Sequence, residues 1–286
     1  MIAITGATGQ LGRLVIDRLL ASTLANEIVA LVRDPDKAAD LAARGVQVRR
    51  GDYDDPASLV TSLAGIDRLL LISSSELGRR AAQHGNVIEA AREVRVKVLA
   101  YTSLLHADTS PLNLAGEHRQ TEAMIKHSGI PYIVLRNGWY TENYLPLMAM
   151  AVANGVLYGC AGEGRISTAA RADYAEAAAR VLSSAEGPGR TYELAGDHGF
   201  TMTEFAAEIS RSTGRSIPYR NVSEEEYRMT LIKAGLPDGL AAAYASWDTG
   251  ISQGALFDDG LQLRQRIGRP TTPFAKTLAA ALVHSH

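Results

Sequence analysis

Three glycines at a regular spacing could hold a phosphate near the start of the chain. Gly6, Gly9 and Gly12 belong to the segment TGATGQLGRLV, which directly follows an apolar run. Glycine leaves the backbone bare, so a pyrophosphate can reach N–H groups at a helix start, where the helix dipole favours an anion. The spacing predicts a dinucleotide-binding turn, with a turn chosen only for packing as the alternative. The residues expected to contact the cofactor here are Gly6, Thr8, Gly9, Gln10, Leu11 and Gly12.

The residue after the second apolar run indicates which dinucleotide is bound. The run EIVALV is followed by Arg33, where an NAD-binding protein usually has an acidic residue for the ribose hydroxyls. A guanidinium can bind a 2′-phosphate through two N–H groups, which favours NADP(H) and leaves NAD(H) possible. Asp34 complicates this assignment because it is acidic and only one position late. The alternative for Arg33 is an ordinary surface arginine.

Polar residues follow the third and fourth apolar runs. Ser73, Ser74 and Ser75 end the fourth run, and we expect them to face the glycine turn and to bind the cofactor; a solvated loop is the alternative. Asp52 follows the third run and could either reach the adenine or cap the helix that begins at Pro56.

The loops after the fifth and sixth runs supply candidates for the substrate end. Asn137 could fix the nicotinamide amide, and Trp139 and Tyr140 could form an aromatic wall; the alternative is that the aromatic residues belong to the core and the asparagines form turns. His106 is either a proton donor or a plain loop histidine. His84 is expected to be structural, and Cys160 is not expected to be reactive because the first basic residue after it is Arg165, five positions away.

The sequence lacks the residue sets that several kinds of catalysis require. None of the eleven tyrosines has a lysine four positions later, so the Tyr-x-x-x-Lys pair of most short-chain dehydrogenases is absent, and sugar epimerisation and dehydration are excluded with it. His118 and Glu122 have the same spacing, which predicts a surface ion pair or, alternatively, a proton-transfer pair. The sequence has neither metal-ligand spacing nor a Gly-x-Ser-x-Gly elbow, so it predicts no metal site and no hydrolase.

The elements that must position these residues alternate along the first half of the chain. Six short apolar runs are separated by alanine-rich helical stretches, which predicts an α/β Rossmann fold with a doubly wound parallel sheet in the order 3-2-1-4-5-6. We predict an NADP(H)-binding domain over residues 1–136. Residues 137–286 are expected to form a smaller, mostly helical substrate lobe, of which about 171–196 returns to the Rossmann sheet.

The composition restricts the partners and the cellular location that are expected for this chain. The chain has 286 residues, 46% of them hydrophobic, a formal net charge of −2 and one cysteine. This balance favours neither nucleic acid nor a membrane as a partner. The single cysteine and the early glycine motif, with no signal-like segment before it, predict a cytoplasmic protein.

Taken together, the segments TGATGQLG, LVRD, LLLISSSE, AYTSLLHADTSPL and LRNGWYTENY resemble the atypical, NmrA-like short-chain dehydrogenase/reductases. The similarity is greatest to bacterial type 2 NAD(P)H:quinone oxidoreductases, with triphenylmethane reductases as neighbours, and it extends to GLPDGLA and GALFDD in the second half.

This resemblance implies direct, NADPH-dependent reduction of a small aromatic quinone without flavin or metal. It implies cofactor contact for Asn137, Gly138, Trp139 and Tyr140. It also implies substrate contact for Asn143, which can donate a hydrogen bond to a quinone oxygen, and it makes a homodimer plausible. Two alternatives remain open: a non-catalytic protein that senses NADP(H), and a reductase of cationic dyes and related conjugated acceptors.

Overall fold

The computed structural model describes residues 1–184 and 187–283, which form two compact units. The first unit consists of Met1–Asp108, Leu114–Asn137 and Arg171–Glu193. The second consists of Thr109–Asn113, Gly138–Ala170 and the chain from Leu194 onward.

A seven-stranded sheet lies at the centre of the first unit. Its strand order is β3-β2-β1-β4-β5-β6-β9, so the predicted doubly wound order is confirmed and a seventh strand extends it. All ladder pairs from β3 to β6 are parallel. The strands are β1 (Ile2–Ile4), β2 (Ile28–Val32), β3 (Gln47–Arg50), β4 (Arg68–Leu71), β5 (Val98–Leu104), β6 (Tyr132–Asn137) and β9 (Arg190–Leu194).

Helices cover this sheet because each presents an apolar stripe to it. The buried residues of the first helix, Leu11, Val15 and Leu19 among them, recur at helical spacing. The third helix begins with Pro56 at its first turn and with the Asp55 carboxylate accepting from the Ser58 N–H. The helices are α1 (Gln10–Leu20), α2 (Ala39–Ala43), α3 (Pro56–Leu63), α4 (Arg80–Glu93), α5 (Ala115–His127) and α7 (Arg171–Ser183).

The second unit is mainly helical, with two small sheets. Strands β7 (Leu157–Gly159) and β11 (Tyr219–Asn221) pair in parallel, and β8 (Arg165–Ile166) pairs antiparallel with β10 (Phe200–Thr201). Its helices are α6 (Leu145–Asn154), α8 (Met202–Thr213), α9 (Glu224–Lys233), α10 (Asp238–Ser252), α11 (Gln262–Ile267) and α12 (Phe274–Val283). Within residues 1–184 and 187–283, no helix has the length and apolar character needed to cross a bilayer.

Helix α1 lies unusually close to the turn that precedes it. A Cβ on Gly12 would lie 2.8 Å from the Ala7 Cα and still closer to the Gly6 carbonyl oxygen, distances that no real side chain tolerates. Both neighbours are backbone atoms, so neither can turn aside. Only glycine at this position lets the helix start directly behind the turn.

We therefore expect Gly12→Ala to lower the free energy of unfolding by about 2–4 kcal/mol, because the added methyl overlaps main-chain atoms. Urea unfolding measures this value. The control is Gly116→Ala in α5, where a Cβ meets no atom within 4 Å; it should leave stability unchanged or slightly higher. Equal stabilities for Gly12→Ala and the natural protein would contradict the packing explanation.

Candidate functional site

A groove of about 360 Å³ in the first unit brings together half of the predicted cofactor residues, seven of fourteen. It joins the glycine turn, the ends of β2 and β3, and the loop after β4. Its lining includes Gly6, Thr8, Gly9, Arg33, Ser73, Ser74 and Ser75, all of them predicted from the sequence, and also Lys37, Asp52, Tyr53, Glu76 and Gln83.

The glycine turn leaves backbone donors available. Gly6 has a φ of +57°, which disfavours any residue with a side chain, and a Cβ on Gly9 would lie 3.1 Å from the Gly6 carbonyl oxygen. Gly9 precedes α1 without a capping side chain, so the first N–H groups of the helix can meet an anion. These features fit the pyrophosphate of a dinucleotide.

Three residues of the glycine motif do not line the groove. The Leu11 side chain is buried in the core, and Gly12 is the packing contact described above. The Gln10 side chain accepts a hydrogen bond from Arg171 at 2.5 Å. None of the three lines the groove, so a contact of Leu11 or Gly12 with a cofactor would involve main-chain atoms.

The serine loop is held in place by buried side chains. The Ser74 N–H donates to His84 Nε2 at 2.9 Å, and the Ser74 carbonyl accepts from Arg80 Nε at 2.7 Å. Burial, with Arg80 nearby, lowers the pKa of His84 to about 3. The neutral ring therefore keeps Nε2 as an acceptor, while Nδ1 lies 3.0 Å from Thr121 Oγ1. His84 is structural, as the sequence predicted.

Two cationic side chains stand at the outer part of the groove. The Arg33 side chain is 73% exposed and lies 3.4 Å from the Glu76 carboxylate, a pair that solvent weakens. Lys37, which sequence reasoning missed, lines the same groove. Asp34 accepts a hydrogen bond from the Asp36 N–H and thereby caps the short helical turn after β2. This cap explains why an acidic residue stands one position after the place where an NAD-binding protein has its ribose-binding acid.

Asp52 and Tyr53 lie at the end of β3. Asp52 lines the groove, and the cap of α3 is Asp55, so the alternative that Asp52 caps this helix is wrong. The Tyr53 hydroxyl lies 2.5 Å from Thr5 Oγ1 and 2.9 Å from the Ile72 carbonyl oxygen. It connects β1 with the loop after β4, a role that an isolated tyrosine in the sequence gives no sign of.

The ends of β5 and β6 are anchored by a buried cation. Arg136 donates to Glu122 at 2.8–2.9 Å and to Glu193 at 2.8 Å, and these carboxylates hold its pKa far above the usual range. Asn137 follows it and is also buried. His106 has a left-handed φ of 51°, and its N–H donates to Glu193 at 2.8 Å.

His118 and Glu122 are not the surface ion pair that their spacing predicts. Both are buried. His118 Nδ1 lies 2.7 Å from the Tyr101 hydroxyl, and burial lowers its pKa to about 3. Glu122 instead accepts from Ser103 and Arg136. Because they belong to separate networks, they also form no proton-transfer pair.

The second unit contains a pocket lined by aromatic side chains. Trp139 and Trp247 meet edge to face, with ring centroids 5.4 Å apart, and the Trp247 Nε1–H donates to Asn113 at 3.0 Å. Asn143 lines this pocket. The space between the side chains is small, about 20 Å³. Its lining consists of Trp139, Asn143, Tyr144, Leu147, Tyr227, Tyr244, Trp247, Asp248, Ile251 and Leu256.

Three predicted contact residues of this stretch, Asn137, Gly138 and Tyr140, lie outside the aromatic pocket. Tyr140 forms a bridge with Ala169 and does not line it, so the predicted wall contains Trp139 but not Tyr140. The Gly138 N–H donates to the Leu194 carbonyl oxygen at 2.7 Å. The structure adds Tyr244, Trp247 and Asp248 from α10 instead. The i, i+3 spacing of Tyr244 and Trp247 was the available signal.

Asp248 is a buried carboxyl group beside these rings. It is 6% exposed, and its Oδ2 accepts from the Cys160 N–H at 2.9 Å. Burial raises its pKa to about 7, against the pull of that hydrogen bond. Burial and the neighbouring Asp248 in turn raise the pKa of the Cys160 thiol to about 12. This agrees with the prediction that the thiol is unreactive.

Comparison with known proteins identifies the family. A model of an NAD(P)H-binding family matches residues 6–185. Quinone oxidoreductase 2 of Escherichia coli strain K12 is 55% identical over 279 residues, which cover 98% of each chain. The chain belongs to this NAD(P)H-binding family of reductases. The family predicted from the sequence is confirmed.

Solved structures of family members have the same fold over their whole length. The Escherichia coli NADPH-dependent quinone oxidoreductase in complex with NADPH gives a TM-score of 0.97 at 54% identity, and the match covers 99% of this chain and 100% of that one. The Citrobacter sp. triphenylmethane reductase in complex with NADP(H) gives 0.94 at 38% identity, covering 98% and 100%. Among the described residues, no cluster of His, Cys, Asp and Glu could hold a metal ion.

The carboxyl group of Asp248 makes stability depend on pH. In the folded protein it keeps its proton up to about pH 7, whereas in the unfolded chain an aspartate loses it near pH 4. Between these values unfolding releases a proton, so raising the pH favours the unfolded state. We expect Asp248→Asn to gain about 2–3 kcal/mol in unfolding free energy relative to the natural protein between pH 5 and pH 8.

Urea unfolding at several pH values measures this difference. Asp238→Asn is the control, because Asp238 begins the same helix with a side chain 72% exposed, and it should show no such trend. If the unfolding free energies of Asp248→Asn and the natural protein change with pH in parallel, Asp248 is ionised in the folded protein over the whole range from pH 5 to pH 8.

Proposed function

We propose that this protein is an NADPH-dependent quinone reductase. The observation that carries the proposal is the groove of the first unit. It combines a bare glycine turn with two cationic side chains in a chain 55% identical to a quinone oxidoreductase. A phosphate-binding turn requires the first feature, and a 2′-phosphorylated nucleotide requires the second.

Several groups of the groove, and Asn137 outside it, have a task in binding the cofactor. The N–H groups behind Gly9 bind the pyrophosphate, and the Arg33 guanidinium binds the 2′-phosphate, with Lys37 as a second cation. The fixed loop from Ser73 to Ser75 offers hydrogen bonds to the nucleotide without having to become ordered first. Asn137, held behind Arg136, binds the nicotinamide amide.

The acceptor end requires little acid–base machinery. NADPH, when bound, supplies a hydride. Addition of hydride to a quinone leaves a delocalised phenolate, which is far more stable than the alkoxide formed from a ketone. The protein has to orient a flat ring, exclude water and donate a hydrogen bond to one oxygen. Trp139 and Trp247 offer aromatic faces for the ring, and Asn143 donates the hydrogen bond.

The reaction also consumes one proton for each quinone. His106 is the donor that the sequence suggested, and its side chain is 31% exposed with Nδ1 3.7 Å from Glu193. The homodimer and the cytoplasmic location stay predictions of the sequence.

The decisive assay mixes the purified protein with NADPH and 1,4-benzoquinone and follows the absorbance of the cofactor. We expect turnover at a rate proportional to protein, because a quinone accepts hydride without a strong acid. Saturable NADPH binding with no oxidation by any quinone would contradict the proposal and would favour the NADP(H)-sensing alternative. Turnover of a cationic triarylmethane dye alone would identify a dye reductase.

The coenzyme preference tests the assignment of Arg33. Removing one charge-assisted contact with the 2′-phosphate costs roughly 1.5–3 kcal/mol. Arg33→Ala should therefore raise the KM for NADPH by about 10–100-fold and leave that for NADH within about twofold. Arg44→Ala is the control, because Arg44 pairs with Asp17 outside the groove. Equal increases in the KM values for NADPH and NADH would contradict the assignment of Arg33 to the 2′-phosphate.

A further inference from the structure

Two buried polar groups of the aromatic pocket have no role in orienting a flat ring. The Asp248 carboxyl is buried, and its Oδ2 accepts from the Cys160 N–H. The Tyr227 hydroxyl has no hydrogen-bond partner within the part of the chain that the structure describes, although the residue is only 1% exposed. An unpartnered buried hydroxyl costs about 1–3 kcal/mol, so a partner is to be expected.

The surroundings of Asp248 favour the protonated form of its carboxyl group. The groups that interact with it are weak acids from four neighbouring segments, and all of them are neutral near pH 7: Tyr144, Cys160, Tyr219 and Tyr227. Glu224, the nearest carboxylate on α9, accepts instead from Thr249. Arg165 of β8, which also packs on α10, donates to the Gly199 carbonyl. Among the described residues no cation lowers the pKa of Asp248, which burial raises to about 7.

The space between these groups has the size of one water molecule. It measures about 20 Å³, and roughly 10–15 Å³ is enough for a water that has two to four polar partners. Three side chains around it can serve as partners: the Asp248 carboxyl, the Tyr227 hydroxyl and the Asn143 amide. One water in this space would give the Tyr227 hydroxyl the partner that it lacks among the described residues.

We propose that Asp248 is the proton donor of quinone reduction and acts through one water molecule held between its carboxyl group, Tyr227 and Asn143. This inference rests on the proposed function. The quinone is reduced by two electrons and gains a hydride from the nicotinamide, which is oxidised to NADP⁺. The phenolate oxygen takes a proton from the water, the water takes one from Asp248, and the resulting carboxylate is reprotonated from solvent.

The chemistry of the acceptor separates this role from a structural one. A quinone needs both a hydride and a proton to become a hydroquinone. A cationic triarylmethane dye needs only the hydride, because its addition to the central carbon gives the neutral leuco dye. Loss of a proton donor should therefore slow quinone reduction and spare dye reduction.

The experiment compares kcat for 1,4-benzoquinone and for malachite green, with NADPH in excess. Asp248→Asn should lower kcat for the quinone by about 10-fold or more, because the stable phenolate then has to take its proton from solvent, and should change dye reduction by less than about twofold. Tyr227→Phe keeps the ring and should lower only quinone turnover, by about 3–10-fold. Asp238→Asn, on the exposed start of the same helix, should change neither.

The pH profile gives a readout that does not depend on the dye. For the natural protein, kcat with the quinone should fall as the pH rises above about 7, where Asp248 loses its proton. The same profile for Asp248→Asn should be flat over this range. Asn143→Ala should slow the reduction of the quinone while retaining the fall above pH 7.

Three results would overturn the inference. Equal loss of quinone and dye reduction in Asp248→Asn would give Asp248 a structural role. A quinone-specific loss in His106→Gln, with normal quinone turnover in Asp248→Asn, would assign the proton to His106. A natural protein that reduces the dye but no quinone would refute the proposed function, which is distinguishable from the other two results because they require quinone turnover.

Discussion

The close approach of α1 to the turn behind β1 is the constraint on which the first unit depends. At Gly12 main chain meets main chain with no room for a Cβ, and α7 then packs along α1. The same short approach leaves the helix N-terminus uncapped and open beside Gly9. A single packing requirement therefore produces both the tight layer of helix on sheet and the anion-binding end of the groove.

The opposite edge of the groove obtains its rigidity from buried polar groups. His84 and Arg80 bind the two sides of the Ser74 peptide, and Tyr53 ties Thr5 to Ile72. A histidine with a pKa near 3 stays a hydrogen-bond acceptor under all ordinary conditions. The loop is thus set before any ligand arrives, and little conformational entropy is lost on binding.

Local rules predicted what depends on local chain geometry. The apolar runs located six strands and the glycine spacing located the groove, because both depend on neighbours in sequence. The order of the strands, which pairs Ile2 with Arg68, followed instead from the rule for alternating strands and helices. The assignment of His118 and Glu122 failed because their partners, Tyr101 and Arg136, lie on adjacent strands. Asp248 and Trp247 were missed for the same reason: Trp247 faces Trp139, more than a hundred residues earlier in the chain.

The state of Cys160 has a consequence for the reaction of the protein with quinones. Quinones are electrophiles that arylate thiolates by conjugate addition, and the thiolate is the reactive form of cysteine. The chain has a single thiol, whose S–H donates to the Ala245 carbonyl oxygen at 3.3 Å and which burial keeps protonated. The protein therefore presents the protonated, weakly nucleophilic form of its one cysteine to such an acceptor near neutral pH.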